Sequence, residues 1–125
     1  MSGAAPPDVP RAVQQGVRLF NRGRYFSAQQ AWEEAWRESE GIDRPFLEAL
    51  VQLAGGLHLR TRRGGTRGAT HLISQALATL EDFRPRTHDI DVDAALTEFG
   101  GYVTWVKEIR RPHRFLDRLR IPRLR

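Results

Sequence analysis

The chain has 125 residues, no cysteine and a formal charge of +5. That length can bury one core, and the missing cysteine excludes a disulfide scaffold, a thiolate metal site and a cysteine nucleophile. Residues 110–125 hold seven arginines against one aspartate, leaving the first 109 near −1, so the basicity belongs to a tail and does not mark the whole surface as polyanion-binding.

Residues 1–8 are small and proline-rich and are expected to form a flexible arm. Asp8 ahead of Val9 and Pro10 is an N-cap with proline in the first turn, and Val13, Val17 and Phe20 follow at helical spacing as far as NRG, 21–23. A second helix over about 25–39 sets Tyr25, Phe26, Gln29, Trp32, Glu33 and Trp36 on one face, with Gly41 closing it. The third opens at Asp43 and Pro45. Its apolar residues Phe46, Leu47, Leu50, Val51, Leu53, Ala54 and Leu57 cover more than half its circumference, which makes it the most buried helix. Gly55 and Gly56 in its middle each cost about 1 kcal/mol relative to alanine, so a close crossing or a kink is expected there.

After the loop RRGGTRG, 62–68, with Thr66 as N-cap, a fourth helix carries Ala69, Leu72, Ile73, Ala76, Leu77 and Leu80 toward the Pro85 turn. A fifth starts at Asp89 or Asp91, repeats Val92, Ala95, Leu96, Phe99, Val103, Val106 and Ile109, and stops before Pro112. No segment alternates convincingly with period two. The expected class is therefore all-α: a single antiparallel bundle of about five helices over 9–109, followed by a basic tail over 110–125. No apolar run approaches the roughly 18 residues of a membrane helix, and MSGAAPPDVP carries no leader features. A soluble cytoplasmic protein is the expectation.

Chemistry has three places to reside. In AQQAWEEAWRE, 28–38, Trp32 and Trp36 read as core, Glu33 pairs with Arg37 one turn on, and Gln29 and Glu33 need partners such as Gln52 if they face inward. Around the loop, Arg60, Arg62, Arg63 and Arg67 surround a Gly-Gly that leads into a helix N-terminus, an arrangement that favours a small anion such as phosphate or sulfate. The same arginines in a solvated loop would pair with Glu33, Glu34, Glu38 or Glu48. In the tail, Phe115, Leu116 and Leu119 either pack on the bundle among snorkelling arginines or belong to a basic arm for nucleic acid. His58 and His71 stand alone on separate helices, and no H-E-x-x-H, paired E-x-x-H or Ser-His-Asp arrangement occurs. No metal site and no cofactor is expected.

FNRGRYFSAQQAWEEAW (20–36) and VQLAGGLHLRTRRGGTRGA (51–69) together resemble the domain of unknown function 309 family over roughly residues 17–82. Phe20, Asn21, Gly23, Tyr25, Phe26, Ala28, Glu33, Glu34 and Trp36 match its first block; Gln52, Ala54, His58, Arg63, Gly64, Gly68 and Ala69 match its second. Gln29 and Gln30 stand where the family pattern has His-Glu, and glutamine neither titrates nor binds divalent metals well. The family has no established reaction, so the resemblance implies a helical fold and a polar seam of Gln29, Glu33, Gln52 and His58 between the second and third helices. The expected function is a non-catalytic binding or interaction module with an anion site at Arg62, Arg63 and Arg67. The alternative is a small hydrolase-like enzyme using Glu33 and His58 as an acid/base pair on an anionic substrate. Self-association into a homo-oligomer is left open.

Overall fold

A computed structural model of the chain describes residues 8–63, 66–109 and 118–125, apart from the side chain of Arg63. Its elements are α1 (Val9–Asn21), α2 (Tyr25–Glu38), α3 (Asp43–Arg63), α4 (Arg67–Leu80), a 3-10 turn (Glu81–Phe83), β1 (Arg86–Thr87), β2 (Ile90–Asp91) and α5 (Val92–Glu108). The chain is a helical bundle in which each helix packs on its predecessor, and a helical turn at Arg118–Arg120 leads its last residues back onto the bundle. Residues 1–7, 64–65 and 110–117, and with them the expected arm and the docking of Phe115 and Leu116, lie outside the described residues.

Local signals set the helix ends. Asp8 accepts from the Arg11 N–H at 3.1 Å at the start of α1, and Asp91 accepts from the Ala94 N–H at 2.9 Å at the start of α5. Gly23 (φ 78°) and Gly41 (φ 65°) reverse the chain on either side of α2. Thr66 precedes α4 but does not cap it with its side chain; its hydroxyl instead accepts from Arg60 Nη1 at 2.8 Å. Arg60 is 3% exposed. It therefore ties α3 to α4 and is not one of the open arginines expected around the loop.

α3 is the central helix, with Phe46, Leu47, Ala49, Leu50, Leu53, Ala54 and Leu57 fully buried. The expected close crossing is found at both of its glycines. A Cβ on Gly55 would stand 3.1 Å from Gln29 Nε2 of α2, and one on Gly56 would stand 2.7 Å from Ile73 and 3.0 Å from the Ala69 carbonyl of α4. One glycine thus admits the helix before α3 and the other the helix after it, which offsets their cost in helix propensity.

α1 and α2 meet in the same way at Gly16, beneath the Trp32 indole. Trp32 is fully buried, and its Nε1 donates to the Val13 carbonyl at 3.2 Å. Trp36 packs against the core but is not enclosed by it as expected. It is only partly buried, the Arg44 guanidinium lies 4.3 Å over its ring, and Arg44 Nη1 donates to the Trp36 and Ser39 carbonyls at the end of α2. The pair is an arginine cap on a helix C-terminus, with the ring as its apolar seat.

A two-stranded antiparallel hairpin between α4 and α5, pairing Arg86 with Asp91 and Thr87 with Ile90, departs from the helix-only expectation. His88 (φ 47°) and Asp89 (φ 60°) form its tip. Tertiary contacts hold it: His88 Nε2 meets Asp43 Oδ1 at 2.8 Å, and Gln14 Nε2 donates to the His88 carbonyl at 2.9 Å.

A candidate anion-binding cleft

The cleft is built on the turn between α1 and α2. Phe20, at the end of α1, anchors this turn to the core through Tyr25 (ring centroids 5.0 Å apart), Trp32 (5.9 Å) and Phe99 of α5 (5.8 Å). Gly23 turns the chain, and Arg24 precedes α2 without capping it by a side-chain hydrogen bond to its first N–H groups. Tyr25 forms part of the cleft lining. Burial pushes its phenol up to about 12, against the opposing pull of Arg118, so at neutral pH it stays a neutral O–H donor.

The last eight residues form the opposite wall. Asn21 grips them as a backbone strand would: its Nδ2 donates to the Leu124 carbonyl and its Oδ1 accepts from the Leu124 N–H, both at 2.8 Å. The Asp91 N–H donates to the Arg125 carbonyl at 2.5 Å, and the Arg125 side chain pairs with Glu98. Leu124 is buried and Ile121 packs against the core, whereas Leu119 is 68% exposed. Within the described tail, docking therefore falls to Ile121 and Leu124 and not to Leu119 as expected; Leu119 sits on the short helical turn, whose outer side faces solvent.

Between these walls and the C-terminal end of α3 lies a cleft of about 760 Å³. Five arginines line it: Arg22 and Arg24 from the turn, Arg62 from α3, and Arg118 and Arg123 from the C-terminal segment; among the described residues no carboxylate does. Arg37, Arg84 and Arg125 are all in ion pairs, but none of the five cleft arginines makes an ion pair with a described residue. All five are exposed, so water and salt carry their mutual repulsion, and an anion entering the cleft would exchange screened repulsion for charge-assisted hydrogen bonds. At its edge Phe26 packs against His58 in a tilted contact, ring centroids 5.2 Å apart and planes at 38°.

The residues singled out from the sequence divide accordingly. Arg62 and His58 line the cleft; Arg67 is exposed at the start of α4 and does not line it, and the Arg63 side chain lies outside the described residues. Gln29 packs at Gly55, and Gln52 is half-buried on α3. Glu33 pairs with Arg37 at 3.7 Å, on side chains 40% and 63% exposed, a contact worth little in water. The antiparallel register that sets Phe26 against His58 and Gln29 against Gly55 leaves Glu33 about 10 Å along the helix axes from His58. The geometry therefore does not assemble them as an acid/base pair. Among the described residues no group of three or more His, Cys, Asp or Glu side chains could hold a metal ion, and no helix is long and apolar enough to cross a membrane.

Sequence reasoning missed Arg22, Arg24, Tyr25 and Phe26 as site residues, and Arg118 and Arg123 were read only as part of a tail. Their one signal was the Phe20–Phe26 block itself, whose pattern of aromatic, Asn and Gly residues is the turn on which the cleft is built.

The fold and cleft define a small, mostly helical protein with an arginine-lined cleft built on the α1–α2 turn. The family model described as domain of unknown function (DUF309) matches residues 13–72 of the chain. No curated protein matches it. The match takes in the turn and α3, hence Arg22, Arg24 and Arg62, and ends before α5 and the C-terminal wall.

Proposed function

We propose that the protein is a non-catalytic binding module whose ligand is a phosphate- or sulfate-bearing anion held in this cleft. The observation that carries the reading is the convergence, from three separate segments on one concavity, of five arginines that make no ion pair with a described residue, with no carboxylate among the described lining residues. Guanidinium groups match phosphate oxygens in geometry as well as charge. The uncapped start of α2 adds free N–H groups and the positive end of a helix dipole. Tyr25 adds a neutral donor that does not ionise in the working pH range.

A titration of the full chain with inorganic phosphate and pyrophosphate at low ionic strength, followed by amide NMR, tests this reading. Shifts are expected at Gly23 to Ser27 and around Arg62, weakening steeply as salt is raised. Arg24→Glu together with Arg62→Glu should abolish them while leaving the melting temperature near that of the wild type, because both side chains are exposed. Shifts confined to Arg67, Gly68 and Ala69 would move the site to the start of α4, and no shifts at either place would end the reading.

A further inference from the structure

We infer that the ligand of the cleft is a phosphorylated nucleoside, with its phosphate among the arginines and its base laid on Phe26; this rests on the anion reading above. Phe26 retains 52% of its accessible surface although it is a large apolar ring on a helix that elsewhere buries Ala28, Trp32 and Ala35. It takes no part in the core cluster, so the fold does not explain it. His58 of α3 supports the ring, and the two together form a platform on the lining of the arginine cleft. A lone exposed phenylalanine is unremarkable on a protein surface. One backed by a second ring, and set among guanidinium groups that need an anion, has the composition of a site for a π-faced group carrying a phosphate.

Size points the same way. A cleft of about 760 Å³ falls within the range of pockets that enclose small organic ligands, roughly 300–1,000 Å³, and is far larger than an inorganic ion requires. An aliphatic phosphoester or a polyphosphate would engage the arginines and leave Phe26 without a role. A base stacks on an aromatic ring whatever its hydrogen-bonding edge, so the platform selects for a nucleobase without naming one. A free mononucleotide and one unit of a single strand present the same chemistry to the cleft.

Calorimetry on the full chain at low salt separates these cases, using AMP, ribose 5-phosphate and a single-stranded adenylate hexamer with wild type, Phe26→Ala and Phe26→Trp. AMP should bind about 5- to 150-fold more tightly than ribose 5-phosphate, the gain that stacking one base supplies. Phe26→Ala should bring the two to equal affinity by weakening AMP alone, and Phe26→Trp should keep AMP the tighter. A hexamer that exceeds AMP by more than the number of its phosphates identifies a strand as the source; parity per phosphate identifies the free nucleotide. Equal affinity of AMP and ribose 5-phosphate for the wild type would overturn the nucleoside inference and leave the anion reading standing. Failure of both to bind would overturn the two together.

Discussion

Gly16→Ala should destabilise the protein even though alanine is the better helix former. Gly16 is buried in α1, and a Cβ built there would fall 2.1 Å from Trp32 Nε1, 2.3 Å from Cε2 and 2.7 Å from Cδ1. A relaxed contact of this kind needs about 3.5 Å, so the indole must retreat by more than an ångström. It has nowhere to go cheaply: Trp32 is fully buried, its ring lies against Phe20 at 5.9 Å, and its Nε1 is spent on the Val13 carbonyl. Forcing a methyl group into a packed contact costs about 1–3 kcal/mol, and losing the indole hydrogen bond adds roughly 1 to 2 kcal/mol. The gain in helix propensity returns about 1 kcal/mol. The net expectation is a loss of about 1–4 kcal/mol and a fall in Tm of roughly 5–15 °C. Gly101→Ala is the internal control. It lies within α5 with no described atom inside 4 Å of its added Cβ, and it should raise stability by up to about 1 kcal/mol. Thermal and urea melts of the two variants decide the matter, and a Gly16→Ala protein melting at or above wild type would refute the close α1–α2 crossing.

Two further predictions concern the walls of the cleft. Asn21→Ala strips both backbone partners from Leu124, so the C-terminal segment should open at a cost of about 1–3 kcal/mol; faster hydrogen exchange at Leu124 and faster tryptic cutting after Arg118 and Arg123 would report it, and unchanged protection would show that Leu124 and Arg125 hold the segment without Asn21. Because burial raises the Tyr25 phenol from 10.0 to about 12, its contribution to stability should be fully present below pH 10 and lost as pH rises through 12. The difference between wild type and Tyr25→Phe in urea melts should follow that window, reaching on the order of 3 kcal/mol at its far end, and a flat difference would place the phenol in water.

The fold was legible because each helix carries its own local instructions. Asp8 and Asp91 cap where a cap residue precedes an apolar repeat, and the three-and-four spacing of α3 identified the central helix before any contact was known. Periodicity, however, reports a face and not a depth. It placed Trp32 and Trp36 on the same inner side, but Trp36 lies a turn nearer the end of α2, where Arg44 of the next helix reaches over it. The β1–β2 hairpin escaped notice for a related reason. Its tip is His88-Asp89 and not a glycine-bearing turn, and the support for its left-handed residues comes from Asp43 and Gln14, 45 and 74 residues away in sequence.

The cleft was illegible for the complementary reason, since no single segment of it is unusual. Arg22 and Arg24 flank a glycine in a turn, Arg62 belongs to a run read as a loop, and Arg118 and Arg123 belong to a tail that fits a nucleic-acid arm or a packed end equally well. What unites them is Asn21. It is the last residue of α1, and its side-chain amide holds the chain end at Leu124 and so sets the arginines of the tail opposite those of the turn. Arg118 and Arg123 stand beyond residues 13–72, so the span that the family model matches brings three of the five charges together with the Phe26–His58 pair. The remaining two arrive only when the chain end is docked. Docking adds them to a cleft already positive, a repulsion that the Leu124 burial and the Asn21 bonds must offset. On the proposed reading an anion in the cleft would remove that opposition, so that its binding and the docking of the chain end would favour one another through the charge they share.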